Sequence, residues 1–209
     1  MKLLRRKIDE YLKEWKQNED RMPLIVKGAR QVGKTASILQ FAHDNYKNVV
    51  AVNFVLQQKY KAIFEDGYGV DDIILNLTLI NPSLKIEEGN TLIFFDEMQD
   101  CPACATSLKA FKTDGRYDVI CSGSLMGINY REIESNSVGY KEDYTMHSMD
   151  FEEFLWAKGY DGAFVERLYE EMVSVTPLSN VEMDVLGALF REYMTLGGMP
   201  AVVNLFVTN

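Results

Sequence analysis

The chain has 209 residues, with 22 Lys and Arg against 31 Asp and Glu, a formal net charge of −9. Such a length suits one domain, or one domain and the start of a second. At 47% apolar and 25% charged residues the composition excludes a disordered or low-complexity chain, and the negative balance argues against a protein that coats nucleic acid.

Leu4, Ile8, Tyr11, Leu12 and Trp15 recur at helical spacing between Lys, Arg and Glu, which predicts an amphipathic helix over residues 2–17. Residues 1–30 hold nine Lys and Arg against five Asp and Glu, so a basic N-terminal face on an acidic body is expected. The apolar stripe of that helix is expected to pack on the domain; a nucleic-acid contact is the other use of its charge. No apolar core follows the basic start, as a secretion signal requires. No apolar run approaches the roughly 18 residues of a membrane span, so a cytoplasmic protein without a membrane partner is expected.

Pro23-Leu24-Ile25-Val26, ending in Gly28, reads as a strand, and Thr35 to His43 as a helix. Asn48 to Phe54 is a second strand, followed by helical patterns at 57–65 and 71–80. Thr91-Leu92-Ile93-Phe94-Phe95 is apolar throughout, as expected of a parallel-sheet strand covered on both faces. A helix from Pro102 to Lys112, a fourth strand from Tyr117 to Cys121 and a fifth from Asp143 to Met149 follow, and 125–143 has no clear period. Helices are predicted at 150–158, 161–173 and 180–196. Alternating strands and helices predict an α/β sheet domain over 1–150, and the helices after it an extension over 151–209. The apolar stretch 201–206 needs something to pack on, so the chain is expected to be the front part of a longer protein.

Gly28-Ala29-Arg30-Gln31-Val32-Gly33-Lys34-Thr35 fits G-x-x-x-x-G-K-[ST], the phosphate-binding P-loop, and it stands between a strand and a helix as the mechanism requires. Its glycines let the backbone curl so that successive N–H groups form a nest for phosphate oxygens at a helix N-terminus. Lys34 reaches the β- and γ-phosphates, and the Thr35 hydroxyl is a Mg²⁺ ligand. G-x-G-x-x-G is not present at this loop, so a dinucleotide fold has no support. After the third strand come Asp96, a second Mg²⁺ ligand through water, and Glu97, a general base for an attacking water. Ser122, at the end of the fourth strand, is placed to sense the γ-phosphate, with Ser124 as second choice. Cys101-Pro102-Ala103-Cys104 has the spacing of a redox or half-zinc site. Three cysteines without paired histidines do not complete a zinc site or a disulfide framework, and Pro102 starting a helix capped by Asp100 or Cys101 explains the pattern. Arg116 and Arg131 are candidate arginine fingers by location, and Arg30, inside the P-loop, is a candidate for a phosphate or inter-subunit contact although a side chain at that position usually points away from phosphate.

The P-loop, Phe94-Phe95-Asp96-Glu97-Met98-Gln99, Cys121-Ser122-Gly123-Ser124-Leu125, Asp150-Phe151-Glu152-Glu153-Phe154-Leu155 and Gly197-Gly198-Met199-Pro200, in this order, resemble a bacterial and archaeal family of predicted AAA-type P-loop ATPases. The resemblance covers nearly the whole chain. It implies a three-layer α/β fold with a central parallel sheet in the order 5-1-4-3-2, ATP rather than GTP, and a C-terminal domain of unknown function beyond residue 209. Many members carry Pro before the pair at Val138-Gly139 and before the Asp-Phe-Glu-Glu-Phe block; this chain has Ser137 and Ser148-Met149 there. The expected activity is Mg²⁺-dependent ATP hydrolysis that drives a conformational change in an attached domain or partner, with Lys34, Glu97 and Ser122 at the reacting phosphate. The alternative is a nucleotide switch of negligible hydrolysis that gates a partner or a nucleic-acid-processing C-terminal domain. A protein partner or homo-oligomer is expected, and nucleic acid only through that C-terminal region or the basic N-terminal helix.

Overall fold

The structure, a computed structural model, describes residues 3–124 and 139–208. Leu125, Arg131, Ser137 and Val138 lie outside the described residues. In chain order come α1 (Lys7–Gln17), β1 (Leu24–Gly28), α2 (Lys34–Asn45), β2 (Asn48–Asn53), α3 (Val70–Ile80), β3 (Thr91–Asp96), α4 (Ala103–Asp114), β4 (Asp118–Ser124) and β5 (Glu142–Met146). Then follow α5 (Phe151–Ala157), α6 (Gly162–Val173), α7 (Asn180–Leu196) and α8 (Pro200–Thr208). Short 3-10 helices occupy Gln58–Phe64 and Met98–Asp100.

Packing divides the described chain into two compact units. One comprises Leu12–Arg30 and Lys34–Met146; the other comprises the described residues up to Tyr11, Gln31–Gly33, and those from His147 on.

The first unit is built on a five-stranded sheet in the order β2-β3-β4-β1-β5. Every pairing is parallel, with Val26 opposite Ser122 and Tyr144, and Asn53 opposite Asp96. This is the predicted three-layer α/β architecture, and the strand order is the one the family resemblance implied. β1 and β3 are buried along their whole length, whereas the outer strands β2 and β5 are only partly so. Ile25, Ile93, Phe95, Val119 and Cys121 share a core with the first 3-10 helix, α3 and α4. Their alternates Leu24, Val26, Leu92, Phe94 and Ile120 are buried too. Successive strand residues point to opposite faces, so both sides of the sheet are covered. α2 lies against β1, β2 and β4, burying Ile38, Phe41 and Ala42. With all strands parallel, Gly28, Asn53, Asp96 and Ser124 end at one edge of the sheet.

The second unit has a smaller core of Met149, Phe154, Leu155, Leu189 and Val203, edged by Phe151 and Tyr193. Asp150 caps α5 in a reciprocal box: it accepts from Glu153 N at 2.9 Å, and Glu153 Oε2 accepts from Asp150 N at 3.2 Å. The Gly197-Gly198 pair closes α7. Gly197 takes a left-handed φ of 71° and donates to Tyr193 O at 2.8 Å. A Cβ on Gly198 would lie 2.1 Å from Met149 O, and Gly198 O accepts from Met149 N at 2.8 Å.

Three elements differ from the sequence expectation. α1 starts at Lys7 rather than residue 2, because the Asp9 carboxylate accepts from Arg6 N at 2.8 Å and fixes the entry there. The stretch 201–206 lies inside α8, which opens on Pro200 at its first helical position. α4 starts at Ala103, and no side chain caps it. The carbonyls of Cys101 and Pro102 accept from Cys104 N and Ala105 N at 3.0 Å, so backbone does the work expected of Asp100 or Cys101.

Candidate functional site

β1 ends at Gly28 and α2 begins at Lys34, so the glycine-rich segment is the turn between a buried strand and a helix N-terminus. Gln31 and Gly33 both have positive φ, 65° and 100°. These left-handed residues curl the loop, and Gln31 adopts a conformation that side chains usually avoid. Arg30 is exposed on the loop. Lys34 is buried, and its Nζ donates to Gly28 O at 2.9 Å and Ala29 O at 2.7 Å. Burial lowers its pKa below the ordinary lysine value, and the nearby Glu97 and Asp96 charges partly oppose that shift.

Asp96 is the centre of the site. It is buried at the end of β3, and a buried carboxylate must be hydrogen-bonded. The Thr35 hydroxyl lies 3.2 and 3.3 Å from its two oxygens. Asn53 Nδ2 donates to Oδ2 at 2.9 Å, Glu97 N to Oδ1 at 3.1 Å, and the Ser122 hydroxyl to Oδ1. The parallel register brings these groups together, since Asn53 is the β2 partner of Asp96, and Phe95 pairs with Cys121 one residue earlier. Thr35 and Asp96 offer a hydroxyl and a carboxylate, hard oxygen donors that suit Mg²⁺ with water completing its shell.

Glu97 turns the chain out of the strand with a left-handed φ of 56°. Its Oε2 accepts from Gln99 Nε2, while Gln99 Oε1 accepts from Ser124 N at 3.2 Å. Gln99 therefore ties Glu97 to the end of β4. A Cβ on Gly123 would come within 3.1 Å of Gln99 Oε1, so the glycine there makes room for the amide. Ser122 lies two residues inside β4 rather than at its tip, fully buried; Ser124 stands at the tip.

Lys34, Thr35, Asp96, Glu97 and Ser122 thus gather at the carboxyl edge of the sheet. Arg116 does not join them. It precedes the opposite end of β4 and pairs with Asp71 at 2.6 Å, Asp114 at 2.7 Å and Glu88 at 3.3 Å. The three cysteines are free and buried, with Cys104 and Cys121 Sγ 3.7 Å apart, and burial pushes the Cys101 and Cys104 thiols up. They pack as small apolar groups. Sequence reasoning missed Asn53, whose signal was a polar residue closing the apolar run Val49 to Val52. Gln99 stands within a motif of the family resemblance, and nothing local in the sequence shows that it ties Glu97 to β4.

A family model for an AAA domain matches residues 20–155, more than half of the chain. The chain belongs to the AAA-domain family. Its fold is that of a nucleotide-binding P-loop ATPase. Among solved structures, this AAA-domain chain is similar to Drosophila ORC bound to DNA, at 15% identity and a TM-score of 0.53, covering 95% of this chain and 58% of that one. At that identity the likeness concerns the fold, and the chain spans little over half the length of that relative. Further similar structures are Aeropyrum pernix ORC2 in its ADP form (13% identity, TM-score 0.48, 81% of this chain and 53% of that one) and C. elegans PCH-2 (13%, 0.44, 97% and 66%). A search of curated proteins gives no match. Among the described residues of the AAA-domain chain, no helix is long and apolar enough to cross a membrane.

Proposed function

We propose that this AAA-domain chain binds ATP with Mg²⁺ at residues 28–35 and hydrolyses it by in-line attack of water. One observation carries this reading: the Thr35 hydroxyl stands 3.2 Å from a buried Asp96 carboxylate beside Lys34 and Glu97, at the carboxyl ends of parallel strands. Ligands bind at that end of open α/β sheets.

The backbone N–H groups of the loop and the N-terminus of α2 hold phosphate oxygens. Lys34 leaves its two loop carbonyls for the β- and γ-phosphates, a gain because a phosphate pairs a desolvated ammonium better than neutral carbonyls do. Thr35 and Asp96 would hold Mg²⁺, which when bound offsets charge between the phosphates and the acidic site. Glu97 takes the proton of the attacking water as the bond to the γ-phosphorus forms and the bond to the ADP oxygen breaks. Ser122 aims the Asp96 carboxylate. The phosphate-sensing task expected of it requires that hydroxyl to exchange Asp96 for the γ-phosphate. We assign the helices from Phe151 on to transmitting the nucleotide state to an attached domain, a partner protein or a second copy.

Glu97→Gln tests the chemistry. The expected result is ATP binding equal to wild type and turnover reduced about 100-fold or more. Unchanged turnover in this variant removes Glu97 as the base. ATP binding without measurable wild-type turnover favours the switch, in which the same site gates a partner.

A further inference from the structure

Arg6 and the Asp-Phe-Glu-Glu-Phe block take no part in the chemistry above, yet they meet within the second unit. Arg6 is 4% exposed. Its Nη1 donates to Val32 O at 2.6 Å and its Nη2 to His147 O at 2.8 Å. Its Nε lies 3.0 Å from Glu153 Oε1, an ion pair without hydrogen-bond alignment. Glu153 is equally buried and is itself fixed: Oε1 accepts from Lys7 N at 2.7 Å, and Oε2 from Asp150 N at 3.2 Å. A guanidinium kept out of water needs acceptors and a paired charge; here both Nη atoms have carbonyl acceptors and Glu153 pairs the charge, while Nε has no hydrogen bond. These groups hold each other in one arrangement.

Val32 directly precedes Gly33-Lys34-Thr35. Its peptide bond to Gly33 is trans, as the described chain has no cis bond. In a planar trans peptide the C=O and N–H point in opposite directions. By holding the Val32 carbonyl, Arg6 therefore fixes the Gly33 N–H to point away from the guanidinium, and its charge polarises that N–H as a donor. A nest binds an anion more tightly when its N–H groups are aimed before the anion arrives, since less ordering remains to be done.

We propose that Arg6, held by Glu153, is a positioning residue for the phosphate loop: it presets the Gly33 N–H and so raises affinity for a polyphosphate chain. The proposal rests on the assignment of residues 28–35 as the phosphate site. It gives the Asp-Phe-Glu-Glu-Phe block a task, with Asp150 and Glu153 capping α5 and Glu153 also steadying the arginine that orients the loop. The planar fork is essential, because a lysine ammonium at position 6 cannot serve two carbonyls and a carboxylate in fixed directions.

Calorimetric titration with ATP and with inorganic tripolyphosphate, on wild type, Arg6→Lys, Glu153→Gln and Lys34→Ala, tests this. The expected result is about tenfold weaker binding of both probes to Arg6→Lys and Glu153→Gln, with cooperative melting kept. In turnover assays their KM should rise while kcat holds. Wild-type affinity for tripolyphosphate in both variants overturns the proposal. So does loss of cooperative melting in both, because the network then serves the fold alone. Failure of the phosphate-site assignment looks different: Lys34→Ala then binds ATP as wild type does, or wild type binds neither probe.

Discussion

Asp96 accepts from the side chains of Thr35, Asn53 and Ser122, and each contact has a separate consequence. Asn53 Nδ2 holds the carboxylate oxygen opposite the one Ser122 holds, so its loss lets Asp96 swing toward Ser122, while Asn53 Oδ1 accepts from Val55 N at 3.1 Å and Leu56 N at 2.9 Å and fixes the turn after β2. Asn53→Ala should lower turnover about tenfold, as expected for a hydrogen bond to a charged group, and also lower the melting temperature, because Val55 N and Leu56 N lose their acceptor; steady-state ATPase assays and thermal melts check this. Gln99 acts one step further out, through Glu97. Gln99→Ala should reduce kcat about tenfold and leave KM unchanged, since it frees the proposed base without touching the phosphate loop. A rise in KM alone would place Gln99 in binding. Lys34, Thr35, Asp96 and Glu97 were legible in the sequence because the geometry they need is local: one glycine-rich turn and one strand end. Asn53 and Arg6 were not, because their partners are supplied by other segments, and only sheet register and helix packing bring them close.

At the scale of elements, apolar runs located β1 to β4, and β1 and β3, covered on both faces, have no alternation to misread; β5, the partly exposed Glu142–Met146, holds no such run, and its end was expected three residues too late. Their order was not readable from periodicity and came from family resemblance alone. Gln58–Phe64 shows how pattern can miss type. Its apolar residues Tyr60, Ile63 and Phe64 are buried at a spacing that both α and 3-10 helices satisfy. The Gly197-Gly198 block was visible as a motif but not as a contact. The carbonyl of Met149 comes too near Gly198 for any side chain, and the Tyr193 hydroxyl donates to that same carbonyl at 3.0 Å. Gly198→Ala should destabilise the second unit by about 1–3 kcal/mol through overpacking. Urea unfolding followed by the fluorescence of Trp156 in a Trp15→Phe background would show it; an unchanged midpoint would mean that α8 shifts without cost.

For the whole molecule, the uneven charge takes on a different meaning. Arg5, Arg6, Lys7, Arg21 and Lys27 each have a carboxylate within 3.1 Å. Among the described residues, four of these reach carboxylates outside residues 1–30, so that much of the basic excess is paired within the chain and offers less to a phosphate backbone. Duplex DNA titrated against the purified chain at physiological salt should give no saturable anisotropy change, and saturable binding that weakens steeply with salt would show a basic surface outside these pairs. On the proposed reading, polyphosphate binding to the remaining acidic body depends on Lys34, the loop N–H groups and Mg²⁺. Calorimetric titration of Mg²⁺–ATP into wild type and Lys34→Ala tests the central claim most directly. Wild type should bind one ATP per chain and Lys34→Ala about 10- to 100-fold more weakly, as expected for a charge-assisted contact; equal affinity in the two proteins would contradict the account.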